Sequence, residues 1–220
     1  MTQSRLIEIV QRIRASGIPS HFEADHMRLL IQVWRLVAEG QPVSTEHIEK
    51  VASEQDLPTE AALSFINQLS EFDDDGNIIG IFGLSQRDHP HRFRVDGKTF
   101  STWCAWDALF LPSMLKKTAQ VESNCPATKE TVHVTVTPDR IKSVEPAGAV
   151  VSIILPDSQK NALESVEAVW RAFCCHVHFF GSAEAAKRWF AGKDDEIALL
   201  SIEEGFHLGH LAFKEILQFV

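Results

Sequence analysis

The sequence lacks long apolar stretches. In its 220 residues, no run reaches the roughly 18 apolar residues that a membrane-spanning helix needs. Its first residues, MTQSRLIEIVQRIRAS, lack the long apolar segment and the small-residue cleavage site of a signal peptide. We therefore expect a cytoplasmic protein without a membrane partner.

Positive charge and cysteine are also scarce. The chain contains 21 Lys and Arg residues but 30 Asp and Glu residues. Its net charge of −9 argues against nucleic acid or an anionic membrane as the main partner. Only four cysteines occur: Cys104, Cys125, Cys174 and Cys175. In a cytoplasmic chain of this size, they indicate reduced thiols rather than a disulfide framework.

The first 72 residues show helical periodicity. Apolar residues recur at helical spacing over residues 4–15, 24–39 and 58–72, and Ser44 is placed to cap a helix between the second and third of these. Gly17 and Pro19 are predicted to end the first helix, and Gly40 the second.

Extended patterns follow at 78–84 and 92–95, and helices followed by such a hairpin resemble a winged-helix unit. Segment 58–72, which would enter a DNA groove, contains Glu60 and Glu71 but no Lys or Arg, so we do not expect DNA binding.

The rest of the chain mixes short strands and helices. Strands are predicted at 118–123, 131–136, 150–155, 173–180 and 197–201, and helices at 161–171, 183–191 and 205–220. The predicted fold class is therefore α+β. It comprises an N-terminal helical winged-helix-like domain (1–80) and a catalytic domain (81–220) built on a small mixed or antiparallel sheet with flanking helices.

The stretch STWCAWDALFLP, residues 101–112, carries the first chemical signal. As a helix, it would place Cys104 and Asp107 on one face, three residues apart, among aromatic residues such as Trp103, Trp106 and Phe110. A carboxylate rarely enters such surroundings unless it is paired or reactive. An ordinary buried cysteine beside an aspartate that caps a turn fits this stretch equally well.

The stretch FCCHVHFF, residues 173–180, carries the second signal. As a strand, it would place Cys174, His176 and His178 on one face and Cys175 on the other. The spacings do not supply the four ligands of a structural zinc site, so zinc is not favoured. Either histidine alone is more typical of an ordinary strand residue than of a metal ligand.

Together these motifs resemble the organomercurial lyase (alkylmercury lyase) family of bacterial mercury resistance. The resemblance rests on WCAWDALFLP (103–112), SNCPAT (123–128), VEPAG (144–148) and FCCHVHFF (173–180), supported by DGNIIG (75–80) and EGFHLG (204–209). It implies cleavage of a carbon–mercury bond by protonolysis, with Cys104, Asp107 and Cys174 as the catalytic residues and as the groups that hold mercury. It also implies that no cofactor is needed, that small thiols support turnover, and that Hg(II) is passed to a partner such as mercuric reductase or to small thiols.

The chemistry of these residues fits that implication. Mercury is a soft metal that thiolates bind in preference to nitrogen or oxygen, and burial among aromatic rings should raise the pKa of Asp107 so that it can pass on a proton. Cys125 is interpreted as structural and Cys175 as dispensable. Two alternatives stay open: a mercury-binding or sensing protein without turnover, and a cysteine hydrolase, which would leave Cys174 unexplained.

Overall fold

The computed structural model describes residues 3–16, 22–155, 166–192 and 197–220. The helices are α1 (Gln3–Ala15), α2 (Ala24–Val37), α3 (Thr45–Glu54), α4 (Thr59–Asn67), α5 (Asp107–Leu115), α6 (Val166–Ala172), α7 (Ala183–Trp189), α8 (Ile202–Ala212) and α9 (Lys214–Leu217). Within these described ranges, no helix has the length and apolar character needed to cross a membrane.

Eleven strands form two antiparallel sheets in the described part of the chain. The strands are β1 (Ser70–Phe72), β2 (Ile78–Ile81), β3 (Leu84–Ser85), β4 (His91–Val95), β5 (Lys98–Thr102), β6 (Ala119–Asn124), β7 (Thr131–Val136), β8 (Ile141–Glu145), β9 (Val150–Ile154), β10 (Phe179–Phe180) and β11 (Ile197–Ser201). The larger sheet has the order β1-β2-β3-β5-β4-β6-β7-β8, and the smaller one has the order β10-β9-β11. The α+β class is confirmed, although the main sheet is larger than expected.

Residue alternation explains how the large sheet meets the core. In β7, Val132, Val134 and Val136 are buried, whereas Thr131 and His133 point to solvent. This period of two is the pattern of a strand with one face covered. The buried faces of α2, α5 and α8 join the same core as the sheet, so the helical and sheet regions share one apolar interior.

Glycines allow α8 to approach α5. A Cβ on Gly209 would lie 2.8 Å from the Cβ of Phe110, and a Cβ on Gly205 would lie 2.9 Å from Leu109 Cδ1. All nine residues of α5 are buried, which makes this helix the centre of the molecule. The position of α5 matters because the first chemical motif leads directly into it.

Several sequence-based boundaries are wrong. Helix α4 ends at Asn67, and residues 70–72, which the helical pattern predicts as its last turn, form β1 instead. The two predicted wing strands do not pair with each other: β2 pairs with β1 and β3, whereas β4 pairs with β5 and β6. The last helix begins earlier than predicted, at Ile202, because Ser201 and Glu204 form a capping box before it.

The boundary at residue 80 stays a prediction, and β2 spans that position in the continuous sheet. Two other predictions fall partly on chain that the structure does not describe. The start of the helix predicted at 161–171, including Asn161 and Leu163, lies outside the described residues, as do Gly17 and Pro19.

Candidate active site

Cys104 lies in a short loop between β5 and α5. The hydroxyl of Thr102 donates a hydrogen bond to the Cys104 carbonyl at 2.8 Å, and the amide of Trp103 donates to the Gly83 carbonyl at 3.0 Å. Helix α5 begins only at Asp107, so the prediction that Cys104 and Asp107 share a helix face is wrong. They still meet, because the Cys104 amide donates to Asp107 Oδ2 at 2.8 Å across the loop.

Cys174 lies in a one-turn 3-10 helix, Cys174–His176, that follows α6. The predicted strand over 173–180 is therefore wrong for its first half, and only Phe179 and Phe180 are extended in β10. The supposed common face of Cys174, His176 and His178 does not exist. Cys175 is half-buried, and its Sγ donates to the Arg171 carbonyl at 3.2 Å.

The two cysteine segments are joined by a backbone hydrogen bond. The amide of Ala105 donates to the Val177 carbonyl at 3.1 Å. As a result, the sulfur atoms of Cys104 and Cys174 and a carboxylate oxygen of Asp107 all lie within 4.8 Å of one another. In the described parts of the chain, this is the one group of His, Cys, Asp and Glu side chains placed to hold a metal ion together.

All three side chains of this group are withdrawn from water. Cys104 is 0 %, Cys174 4 % and Asp107 7 % exposed. Burial raises the pKa of Asp107 to about 6, although a hydrogen bond with the Cys104 thiol works in the opposite direction. A carboxyl with that pKa exchanges its proton readily near neutral pH.

The two thiols also favour their neutral forms. Burial raises the pKa of Cys104 well above its usual value, and its hydrogen bond to Cys174 and the nearby Asp107 carboxylate add to this. The hydrogen bond from Cys104 lowers the pKa of Cys174, but burial and Asp107 outweigh it, so the net direction is upward. The Cys104 sulfur lies close to both the Cys174 sulfur and an Asp107 carboxylate oxygen, and the carboxylate can accept the thiol proton.

An aromatic cavity adjoins Cys174 and Asp107. It encloses roughly 320 Å³ of space, including the part open to solvent. Its aromatic lining consists of Phe82, Trp103, Trp106, Phe110, Phe173 and Phe213. Trp106 is fixed by an indole N–H that donates to the Gly205 carbonyl at 3.0 Å. This lining is apolar and aromatic, with the Asp107 carboxyl and the Cys174 sulfur at its edge.

Gly83 is a site residue that the sequence reasoning missed. Its φ of +98° suits glycine, and a Cβ there would lie 2.8 Å from Asp107 Cγ. The sequence pattern predicts a continuous strand over 78–84, whereas Phe82 and Gly83 form the turn between β2 and β3. A glycine inside a strand pattern often marks such a close approach, and that signal could have identified it.

The other cysteine, Cys125, lies elsewhere. It is buried in a small cluster with Phe180, Ala185, Ala186 and Phe190. Burial raises its pKa, but hydrogen bonds from Thr128 and from backbone amides, including that of Gly181, more than offset this and leave the pKa lowered. Its interpretation as a structural residue stays a prediction.

Comparison with known proteins gives a consistent result. The family model described as alkylmercury lyase matches residues 84–214. The chain is 35% identical over 211 residues to an alkylmercury lyase of Pseudomonas putida, which covers 96% of this chain and 93% of that protein. It is 40% identical over 183 residues to an alkylmercury lyase of Staphylococcus epidermidis, which covers 82% of this chain and 79% of that one.

A solved structure has the same fold. The mercury-bound form of MerB2 superposes with a TM-score of 0.73 and 21% sequence identity, covering 98% of this chain and 100% of that one.

Proposed function

The chain belongs to the alkylmercury lyase family, and we propose that it cleaves the carbon–mercury bond of organomercurials by protonolysis, with Cys104, Cys174 and Asp107 as its catalytic residues. It is an enzyme of the alkylmercury lyase type. The observation that carries the proposal is the buried group of two thiols and one carboxyl, within 4.8 Å of one another, beside an aromatic cavity.

The first part of the proposed reaction attaches mercury to the protein. One thiol sulfur bonds to the metal and displaces the exchangeable ligand of the organomercurial, and the second sulfur then bonds as well. Asp107 accepts the proton of Cys104, whose sulfur lies within 4.8 Å of an Asp107 carboxylate oxygen. Thiolates suit this role because mercury is a soft metal.

The second part breaks the carbon–mercury bond. Two sulfur donors increase the electron density on the carbon, which accepts the proton held by Asp107, and the electron pair of the carbon–mercury bond becomes the new carbon–hydrogen bond. A hydrocarbon leaves and Hg(II) stays on two thiolates. Two thiol protons are consumed in all: one ends on the hydrocarbon, and the other is lost to the displaced ligand or to solvent.

The site then has to lose its product. We propose that small thiols remove Hg(II) by ligand exchange, that mercuric reductase is a recipient, and that the reaction needs no cofactor. Because free thiols are abundant in the reducing cytoplasm, we propose that location for the enzyme.

The proposal is tested by benzene release from phenylmercury in excess glutathione, measured by gas chromatography. We expect benzene from the unaltered protein and none from Cys104→Ser or Cys174→Ser. Cys175→Ser is the matched control, since it alters the neighbouring thiol outside the group, and should retain turnover. Mercury binding without benzene from the unaltered protein would instead indicate a sequestering or sensing protein.

A further inference from the structure

One buried hydroxyl stands out in the strand that supports the Cys174 turn. Ser152 lies in the middle of β9, whose sequence is VVSII, and it is 0 % exposed. The pattern of this strand calls for an apolar residue there, since a buried hydroxyl is unfavourable unless it is hydrogen bonded. The partners of this hydroxyl therefore explain why a serine can occupy the position.

Those partners are the backbone groups that end the Cys174 turn. Ser152 Oγ donates to the His176 carbonyl at 3.0 Å and accepts from the His178 amide at 2.9 Å. The Ser152 amide also donates to the His178 carbonyl at 3.0 Å. The Ser152 side chain thus satisfies the His176 carbonyl and the His178 amide, two backbone groups that in a regular strand would be paired with the backbone of an adjacent strand.

The same short segment is held from its other side by the Cys104 loop. Val177 lies between His176 and His178, the two residues that Ser152 binds, and its carbonyl accepts the hydrogen bond from the Ala105 amide. Residues 176–178 are therefore clamped between β9 and the residue that follows Cys104. This chain of contacts links the backbone positions of the two cysteines.

We propose that Ser152 is a positioning residue of the active site, which holds the Cys174 turn against the Cys104 loop so that both sulfur atoms reach one mercury atom. The inference rests on the proposed function. Two sulfur atoms that are already in place bind a metal more tightly than two that must first be ordered, because the ordering cost has been met in folding. Without the hydroxyl, residues 176–178 keep only the backbone hydrogen bonds from Ser152 and Ala105, and the separation of the sulfur atoms is less tightly fixed.

The test compares two buried serines. Ser152→Ala removes the clamp, whereas Ser113→Ala removes a buried hydroxyl that contacts the Pro138 carbonyl and His210, neither of which belongs to a cysteine segment. The first measurement is the partition of Hg(II) between each folded protein and glutathione. The second is the rate constant of benzene release in a single turnover.

Ser152→Ala should shift the partition toward glutathione, and slow benzene release, by about tenfold or more. Ser113→Ala should stay within about twofold of the unaltered protein. Ser152→Thr, which keeps the hydroxyl, should recover most of both losses. An Hg(II) partition of Ser152→Ala equal to that of Ser113→Ala would overturn the inference. Absence of benzene from the unaltered protein would contradict the proposed function, but the partition comparison would still test Ser152.

A measurement on the unaltered protein covers the case in which Ser152→Ala does not fold. Hydrogen exchange followed by NMR reports the amides of His178 and Ala105 directly. We expect both to exchange slowly and to become more protected when Hg(II) binds, since binding should tighten the clamp. Rapid exchange of either amide in the Hg(II)-bound protein would overturn the inference.

Discussion

At the scale of single residues, the position of Asp107 makes it the chemical centre of the site. Its carboxylate accepts a hydrogen bond from the Cys104 amide at 2.8 Å and lies close to the sulfur atoms of both thiols. Its pKa of about 6 matches a group that alternately accepts and donates a proton near neutral pH.

The pH dependence of turnover tests this role. Because Asp107 must be ionised to accept a thiol proton, kcat/KM should fall as the pH drops below about 6. Asp107→Asn keeps an oxygen for the Cys104 amide but cannot transfer a proton, so its turnover at pH 7 should drop roughly 100-fold or more while Hg(II) binding persists. Circular dichroism at each pH separates this effect from unfolding. Undiminished turnover in Asp107→Asn would exclude the proton-transfer role.

Gly83 offers a second test at this scale. In Gly83→Ala, the new Cβ would be 2.8 Å from Asp107 Cγ and must displace the carboxyl. We expect turnover to fall roughly tenfold to hundredfold, since small displacements of reacting groups have such effects.

Gly97→Ala is the matched control for Gly83→Ala. Gly97 has a φ of +75° and nothing within 4 Å of a built Cβ, so the substitution strains the backbone without touching the site. Its turnover should be normal. If Gly83→Ala and Gly97→Ala lost turnover equally, backbone strain alone would explain the effect, and contact with Asp107 would not.

At the scale of elements, the sequence predicted the helices and most strands, but it predicted the two reactive segments wrongly. The apolar run FCCHVHFF is typical of a buried strand, yet hydrogen bonds from Ser152 to His176 and from Ala105 to Val177 hold its middle in a turn. Similarly, two hydrogen bonds hold the residues before α5 in a loop. The Thr102 hydroxyl donates to the Cys104 carbonyl, and the Trp103 amide donates to the Gly83 carbonyl. These partners lie 2 to 72 positions away along the chain, and the distant ones leave no trace in a local pattern.

The choice of Cys104, Asp107 and Cys174 came from residue types and family resemblance, and did not depend on those local structures. The structure brings the three together through loops rather than through a shared helix and strand face. Their catalytic roles stay a proposal.

The packing of α8 on α5 gives a prediction at this scale. Gly209→Ala should destabilise the protein by about 1–3 kcal/mol, because the new Cβ would be 2.8 Å from Phe110 Cβ. On an isolated helix the same change would stabilise by about 1 kcal/mol. Urea unfolding measures the difference, and Glu203→Ala on the exposed side of α8 is the control. A Gly209→Ala protein as stable as the original would contradict the close helix contact.

At the scale of the whole molecule, buried His91 and half-buried His178 are expected to lower stability in acid. Burial lowers the pKa of His91 to about 3 and that of His178 to about 4, and the effect of neighbouring histidines adds to it. Since both pKa values are depressed in the folded state, the stability that they contribute is present above about pH 6.5 and is lost as the pH falls toward 3. Asp107 has the opposite sign: its raised pKa costs stability as the pH rises from 3.8 through about 6.

Unfolding by guanidinium at a series of pH values tests this balance. For His91, the free energy of unfolding should fall progressively as the pH drops from 6.5 toward about 3. His91→Gln should remove that part of the acid sensitivity, whereas the exposed His133→Gln should not. An unchanged pH dependence in His91→Gln would show that His91 does not govern acid unfolding.

The central claim, that the bond is broken by protonolysis, is tested most directly by running the phenylmercury reaction in D₂O. Thiols and carboxyls exchange their protons with solvent, so a proton delivered by Asp107 carries the solvent isotope. Mass spectrometry of the released hydrocarbon should find benzene with one deuterium as the main product. Phenol, biphenyl or benzene without deuterium would contradict the account.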